Sequence, residues 1–363
     1  MKIGILTFPN SISYGATLQM YALYRSVEKL GYDTEIINYF NAYMKAENHV
    51  GDSVHSFSKM AKKFAKKLMH YKLYSNFKRF ESCSFNMFPK RAFSDKKILN
   101  EVGKRYDAVI CGSDQVWNPE ITDGDLSYFL DFCCDKTKRI SYAPSFGVDT
   151  LSEQFGIRVG KELEQFDSIS VREQEGAEIV KCFSNRSAEI VSDPTFLLDR
   201  SDWESIEKEY DSTKKEYILY YAVHQSDELF KKAKSFSKRT GIKLVVVGGN
   251  RIKNLKNNDP LLEYAIDISP QEWLYLIHHA KYVITNSFHG TAFSLIYQKD
   301  FFVGYVKNTN SRLSQIIRTT VMESRILGCG DEIIAKKADF TFAESAINQL
   351  RESSYRFLKN ALE

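Results

Sequence analysis

Residues 282–297 read YVITNSFHGTAFSLIY: an apolar run, a short polar turn and a second apolar run. The run YVIT followed by Asn-Ser predicts a buried strand that ends near Asn286, and the pattern after His289 predicts a helix. A buried strand followed directly by a helix is the repeating unit of a parallel α/β sheet. The stretch therefore indicates the fold class and places a histidine at a strand-to-helix turn.

The same alternation extends along almost the whole chain. Predicted strands cover residues 2–8, 34–39, 108–111, 139–145, 168–172, 188–194, 217–223, 243–249, 265–269, 282–286 and 301–306. Predicted helices cover residues 16–30, 152–164, 225–240, 270–280 and 289–298. Strands that are apolar on both faces and separated by helices predict doubly wound parallel sheets.

The length of 363 residues suits two domains. The polar stretch 199–216 interrupts the alternation and marks the predicted boundary. We predict an N-terminal Rossmann-like domain over 1–200, with a basic helical insert at about 40–105, and a C-terminal Rossmann-like domain over 201–340. The amphipathic helix predicted at 341–363 would pack back on the N-terminal domain. Two Rossmann-like domains facing a cleft would bind ligands at the carboxyl ends of their strands.

Composition excludes several classes of protein. Hydrophobic residues make up 43% and charged residues 26%, as in an ordinary soluble protein. The net charge of +4 is too mild to argue for a nucleic-acid partner. The start MKIGILTFPN reads as a strand and lacks the features of a signal peptide. The six cysteines have no CxxC spacing and predict reduced thiols, which favours the cytoplasm.

Residues 59–79 contain eight Lys or Arg and no acid. Met60, Phe64, Leu68 and Tyr71 recur at helical spacing on one face. One interpretation is an interfacial helix that touches anionic lipid or a lipid-linked substrate, with the protein peripheral to the inner face of a membrane. The favoured interpretation is a solvated helix whose apolar stripe packs on its own domain.

Polar residues follow several predicted strands, where such sheets bind ligands. In NSISYGATLQ, Gly15 stands near a helix start, whose backbone amides could hold an anion. In ICGSDQVWNP, Asp114 could act as a general base or simply cap a helix. In SVREQEG, Arg172 suits a carboxylate or phosphate, or an interdomain salt bridge.

The opening stretch supplies the remaining candidates. His289 lies near the predicted helix start beside Asn286, Ser287 and Gly290, where it could donate a proton or hold an anion. A capping or buried structural imidazole fits the spacing equally well. In SDPT, Asp193 precedes a proline, which predicts a tight turn whether or not the carboxylate has a further role.

A set of short motifs, taken together, resembles the polysaccharide pyruvyl transferase family. The motifs are SYGATLQ, LGYDTEIINY, ICGSDQVWNP, SYAPSFG, SVREQEG, SDPTFLL and TNSFHGTAFS, in family order from residue 1 to about 325. The resemblance implies a fold similar to the GT-B glycosyltransferases and a reaction that uses phosphoenolpyruvate as donor. Family members attach pyruvate to two hydroxyls of one sugar as a cyclic ketal and release phosphate. They act on cell-surface polysaccharides or their precursors.

Carried onto this sequence, the family's aspartate falls on Asp114, its arginine on Arg172 and its late histidine on His289. Some members have an arginine two residues before that histidine, where this chain has Ser287. One anion-binding cation is therefore unaccounted for. The candidates to replace it are Arg312 and Lys307; either could be an ordinary surface charge, which is the favoured interpretation for Lys307.

The resemblance implies a pocket for the carboxylate and phosphate of the donor. The expected ligands are Arg172, Arg312 and helix-end amides near Gly15 and Gly290. Ketal formation starts with protonation of the methylene carbon of phosphoenolpyruvate. We expect His289 to supply that proton or to assist phosphate departure, and Asp114 to accept a proton from the attacking hydroxyl. No cofactor and no metal is expected.

Adjacent histidines at 278 and 279 would point to different faces of one helix, so a metal site there is not expected. The expected partners are phosphoenolpyruvate and a sugar or oligosaccharide acceptor, free or lipid-linked. Because a fold does not determine a function, a GT-B glycosyltransferase that uses a nucleotide sugar is the nearest alternative. A non-catalytic carbohydrate-binding protein is the second. Binding of phosphoenolpyruvate or of a nucleotide sugar would distinguish them.

Overall fold

The computed structural model forms two compact units, each built on its own parallel β-sheet. The first unit comprises residues 1–197 and 350–363, and the second comprises residues 198–349. The residues described are 1–41, 71–210, 215–248, 259–304 and 311–363.

Seven described strands form the first sheet. They are β1 (Lys2–Leu6), β2 (Asp33–Tyr39), β3 (Met87–Phe93), β4 (Ala108–Cys111), β5 (Lys138–Ser141), β6 (Ser168–Val171) and β7 (Glu189–Ile190). Their order is β3-β2-β1-β4-β5-β6-β7, and every pair is parallel. Strands β2 and β3 are added on one side of β1 and strands β4 to β7 on the other, so the strand order reverses between β1 and β4. In doubly wound sheets the ligand binds at this switch point, outside the carboxyl ends of the strands.

Helices cover this sheet. They are α1 (Tyr14–Lys29), α2 (Tyr71–Ser84), α3 (Lys96–Gly103), α4 (Pro119–Thr122), α5 (Glu153–Leu163) and α6 (Gln174–Phe183). Trp117 is fully buried between them, stacked on Phe129 with ring centroids 4.9 Å apart and in edge contact with Phe166 at 6.0 Å. This aromatic cluster explains part of the high aromatic content as core packing.

Residues 71–105 differ from the predicted insert. They supply α2, β3 and α3, and β3 pairs with β2 at the edge of the sheet. The strand was not predicted because its sequence, MFPKRAF, contains a proline and two basic residues, which local patterns assign to a loop. Described residues of the insert are therefore an integral part of the first unit.

The first unit also contains the end of the basic stretch. Phe77 and Phe80 of α2 are buried, with ring centroids 5.1 Å from Tyr14 and 5.7 Å from Tyr21. Tyr71 is 66% exposed. The described part of the helix thus packs on its own unit. The predicted stripe residues before Tyr71 lie outside the described residues, so the membrane interpretation remains a prediction.

The second sheet repeats the order of the first. Its described strands are β8 (Tyr217–Tyr221), β9 (Lys243–Val247), β10 (Leu262–Ala265), β11 (Tyr282–Thr285), β12 (Phe301–Gly304) and β13 (Ile326–Leu327). They are parallel in the order β10-β9-β8-β11-β12-β13, so the switch point lies between β8 and β11. The strand predicted at 265–269 is wrong, because β10 ends at Ala265 and the next residues lead into a helix.

The remaining described helices are α7 (Arg200–Glu204), α8 (Asp227–Thr240), α9 (Pro270–His279), α10 (Phe288–Ile296), α11 (Ser311–Thr319) and α12 (Thr341–Leu362). From Leu350 onward α12 belongs to the first unit. Within that unit, Ser354 Oγ accepts a hydrogen bond from the Ser192 amide at 2.9 Å, and Arg351 Nε donates to the Phe196 carbonyl at 2.9 Å. Among the described helices, none has the length and apolar character needed to cross a membrane.

Candidate active site

Asn286 lies at the switch point of the second sheet, directly after β11. It is 5% exposed, its Oδ1 accepts from the Val223 amide at 2.9 Å, and its Nδ2 donates to the His224 carbonyl at 2.7 Å. The amide therefore ties the end of β11 to the chain that leaves β8. Its observed contacts shape the switch point, and direct substrate binding by Asn286 remains a prediction.

Ser287 is the N-cap of α10. Its hydroxyl accepts from the Gly290 amide at 3.3 Å, while its own amide donates to Thr285 Oγ1 at 3.0 Å. Gly290 is required by close packing, since a Cβ there would lie 2.4 Å from Thr285 Oγ1. The polar turn is thus held by local hydrogen bonds, which leaves the helix start in a defined position.

His289 is the second residue of α10, in the first turn of a helix that starts at the switch point. Its side chain is partly buried, and its ring meets Phe288 edge-on with centroids 5.2 Å apart. Helix N-termini carry a partial positive charge and favour anions. A partly exposed imidazole at this point has the chemistry to transfer a proton to a bound anionic substrate.

Tyr221, the last residue of β8, was missed by sequence reasoning. It is buried, and burial raises the pKa of its phenol well above the ordinary value, although a hydrogen bond with Ser287 lowers it. Tyr221 is therefore a neutral hydrogen-bonding group at the switch point. In the sequence it could not be told apart from the core tyrosines beside it in YILYY.

Asp114 lies at the switch point of the first sheet, just after β4. Its backbone is left-handed, with φ at +76°, and its carbonyl accepts from the Ser145 amide at 2.8 Å. The carboxylate accepts from the Gln115 amide at 2.9 Å and is 19% exposed. The helix-cap alternative is wrong, because α4 is capped by Asn118. A non-glycine residue in this strained region marks a candidate functional position.

Arg172, directly after β6, is buried among acids of its own unit. Its Nη1 donates to Asp193 Oδ2 at 2.6 Å, its Nε lies 3.7 Å from Glu173 Oε2, and its Nη2 lies 3.9 Å from Asp114 Oδ1. Burial lowers the pKa of the guanidinium, but the charges of these three carboxylates outweigh burial and the net pKa is raised. The guanidinium therefore lies among three carboxylates, and its hydrogen bond goes to Asp193.

Asp193 is the principal partner of Arg172, a role that the sequence did not reveal. Its carboxylate is fully buried and also accepts from the Thr195 amide at 3.0 Å and the Thr195 hydroxyl at 2.8 Å. The predicted tight turn is present, because Asp193 caps the 3₁₀ helix Pro194–Phe196. The SDPT motif indicated the turn, but nothing local indicated the arginine.

Gly15 lies at the same switch point as Asp114. It is the buried second residue of α1, which follows β1, and Ser13 caps that helix by accepting from the Ala16 amide at 3.4 Å. The first switch point therefore holds Gly15 and Asp114, and the guanidinium of Arg172 lies 3.9 Å from the Asp114 carboxylate. The second holds Asn286, Ser287, His289 and Gly290.

The two candidate replacement cations are Arg312 and Lys307. Arg312 is in the first turn of α11, the helix that follows β12. Lys307 lies outside the described residues. The structure therefore describes one of the two candidates, and the role of Arg312 remains a prediction.

Glu81 is a second buried acid that sequence reasoning missed. It lies in α2, is 3% exposed, and its Oε1 accepts from the Asn10 amide, in the loop after β1, at 2.9 Å. Burial raises the pKa of Glu81 to about 7, although the Asn10 hydrogen bond and the charge of Lys78 lower it. The acid thus titrates near neutral pH close to the first switch point.

Replacing Glu81 with Gln is expected to stabilise the protein at about pH 8 and to have little effect at about pH 4. The folded pKa of about 7 exceeds the ordinary value of 4.5, so folding favours the protonated acid. The contribution of Glu81 to the free energy of unfolding is fully present below its ordinary pKa. It is lost as the pH rises through the folded pKa, and the loss is on the order of 3 kcal/mol. Melting curves of Glu81→Gln and wild type across this range test it. Glu101→Gln, at an acid 70% exposed, is the control and should show no such trend.

Solved structures with a similar fold include an epimerase and a protein solved with UDP. UDP-N-acetylglucosamine 2-epimerase from Rickettsia bellii has a TM-score of 0.52 at 9% identity, over 100% of this chain and 95% of that chain. MnaA from S. aureus, solved with UDP, has a TM-score of 0.50 at 13% identity, over 99% of this chain and 91% of that chain. These likenesses confirm the GT-B-like α/β class and concern the fold alone. A search of curated proteins found no match.

Sequence comparison gives the family within that class. The model of the polysaccharide pyruvyl transferase family matches residues 14–305, which include Asp114, Arg172 and His289 but not Arg312. The chain belongs to the polysaccharide pyruvyl transferase family. The resemblance drawn from the motifs is thereby confirmed.

Proposed function

We propose that this chain transfers the pyruvyl group of phosphoenolpyruvate to two hydroxyls of one sugar, in a cell-surface polysaccharide or its precursor. The product is a cyclic pyruvate ketal, and phosphate is released. The match to the family over residues 14–305 carries this proposal. It is supported by the position of His289 in the first turn of α10, at a switch point of the kind that binds ligands.

The reaction balances without a redox partner. The methylene carbon of phosphoenolpyruvate gains a proton, which makes C2 electrophilic, and the first sugar hydroxyl adds there. The C2–O bond to phosphate then breaks, and the second hydroxyl adds to the same carbon. Of the two protons that the hydroxyls lose, one replaces the proton delivered to the methyl carbon and the other leaves with phosphate.

Three residues take distinct roles in this proposal. His289 delivers the proton to the methylene carbon, and Asp114 accepts a proton from the attacking hydroxyl. Arg172 acts as a positioning residue, because its guanidinium is bound to Asp193 at 2.6 Å and lies within 3.9 Å of the Asp114 carboxylate. The start of α10 and Arg312 are the proposed ligands of the donor's anionic groups in the second unit, and the start of α1 is an anion-binding candidate of the first unit.

Phosphoenolpyruvate is expected to raise the melting temperature of the purified chain, whereas a panel of nucleotide sugars is expected to leave it unchanged. A ligand that binds the folded state stabilises it by mass action, by about 2.7 kcal/mol at 100 times its dissociation constant. Arg312→Ala should reduce the shift at a given donor concentration, because one cation is lost. Arg318→Ala removes an exposed arginine of the same helix and serves as the control.

A shift produced by a nucleotide sugar and not by phosphoenolpyruvate would overturn the proposed donor and favour a GT-B glycosyltransferase. Equal shifts for Arg312→Ala and Arg318→Ala would remove Arg312 from the donor site. Detection of a ketal on the sugar product by NMR would establish the reaction beyond binding.

A further inference from the structure

Two histidines and a glutamate converge in the second unit, away from the residues discussed so far. His278 and His279 end α9, and Glu207 follows α7. The Nδ1 atom of His278 lies 3.1 Å from Glu207 Oε1, and the Nε2 atom of His279 lies 3.6 Å from Glu207 Oε2. Each of the three residues offers one potential ligand atom, and these three atoms all lie within 4.8 Å of one another.

The expectation that the adjacent histidines diverge is wrong. Side chains of neighbouring helical residues point about 100° apart, but both imidazoles here reach one carboxylate that lies between them. Their ring centroids are 4.5 Å apart. The helix ends at His279, and Ala280 is already extended, so α9 itself does not continue past the cluster.

We propose that Glu207, His278 and His279 form a binding site for a divalent transition metal of the zinc class. Two imidazole nitrogens and one carboxylate oxygen are a donor set that zinc accepts, with water as the fourth ligand. Bonds of about 2.0–2.1 Å at tetrahedral angles place ligand atoms about 3.3 Å apart. Glu207 Oε2 lies 3.1 Å from His278 Nδ1 and 3.6 Å from His279 Nε2, on either side of that value, and the three ligand atoms all lie within 4.8 Å of one another.

The outer nitrogen of His278 lies between an arginine and a carboxylate. Its Nε2 lies 2.9 Å from Arg200 Nη2 and 3.4 Å from Glu204 Oε1. An arginine only donates, so without metal Nε2 accepts from Arg200 and Nδ1 carries the ring proton toward Glu207. Metal on Nδ1 requires the proton to sit on Nε2, so Arg200 must turn away from that nitrogen and Glu204, at 3.4 Å, becomes the acceptor. A carboxylate behind a ligating histidine is the usual arrangement at zinc sites.

The position of the cluster indicates a structural metal. The ring of Tyr297, at the C-terminal end of α10, stacks on His278 with centroids 4.5 Å apart at 10°. His289 lies at the other end of α10, eight residues earlier, or about 12 Å along the helix axis. The metal would tie the segment after α7 to α9 and to the end of α10. It would stabilise the second unit and take no part in the chemistry at His289.

The test uses the full chain, first dialysed against a chelator and then titrated with zinc chloride in a calorimeter. We expect one zinc ion per chain and a higher melting temperature on binding. His279→Ala and Glu207→Gln are each expected to weaken binding at least tenfold, because each removes a ligand. His279 is 46% exposed, so its truncation spares the fold. His224→Ala, at an exposed histidine outside the cluster, is the control and should bind as wild type does.

Zinc binding that is absent in the wild type, or equal in wild type, His279→Ala and Glu207→Gln, would overturn the proposal. The cluster would then be a group of ion pairs between Glu207 and the two imidazoles. The outcome is independent of the donor substrate, because zinc is titrated without phosphoenolpyruvate.

Discussion

Replacing His289 with alanine is expected to lower kcat by about 10²–10⁴-fold, the usual contribution of a general acid. In the proposed reaction the imidazole transfers the proton, and hydrogen bonds of Asn286, Ser287 and Gly290 hold the turn that carries it at the start of α10. The ketal-forming rate at saturating phosphoenolpyruvate, measured by phosphate release, gives kcat for both proteins.

A melting curve separates an effect on chemistry from an effect on folding. The melting temperature of His289→Ala should stay close to that of wild type, because the ring is only partly buried. A variant that keeps kcat within a few fold of wild type would exclude His289 as the proton donor.

Replacing Asp193 with asparagine is expected to lower the free energy of unfolding by about 3–5 kcal/mol, the usual cost of breaking a buried ion pair. The carboxylate is fully buried and bonded to Arg172 at 2.6 Å. An asparagine amide there would leave the guanidinium without its principal charge partner. Urea unfolding of the variant and the wild type, followed by circular dichroism, measures the difference.

Asp114→Asn is the matched control, since it changes the same group beside the same arginine. Its carboxylate lies 3.9 Å from Arg172 and is 19% exposed, so we expect a loss of about 1 kcal/mol or less. Asparagine also tolerates the left-handed backbone at this position. Equal losses in Asp193→Asn and Asp114→Asn would contradict the view that Asp193 is the structural partner and Asp114 the functional one.

Local sequence patterns predicted the strands well where a strand was apolar and several residues long. KIGILTF, YILYYAV and KLVVVGG each contain an observed strand, because both faces of these strands are buried and their sequences are continuously apolar. β3 and β13 were not predicted, for different reasons. β3 lies at the sheet edge with a partly polar sequence, and β13 has two residues, too few for any period to show.

The candidate site likewise has features that the sequence predicted and features that it did not. The positions of Asp114 and His289 were predictable, because each follows a readable strand and the carboxyl ends of parallel strands are where ligands bind. The burial of Arg172 was not predictable. A lone arginine after a strand has the same local pattern whether it faces substrate or a buried acid.

The sequence by itself determined the parallel α/β class, the family and the turn that carries His289, because apolar periodicity and turn chemistry act over a few neighbouring residues. The tertiary structure alone decided which groups meet. Arg172 and Asp193 are 21 positions apart, and Glu207 and His278 are 71 positions apart. Contacts at such separations form only when strands and helices pack, so no local pattern reports them.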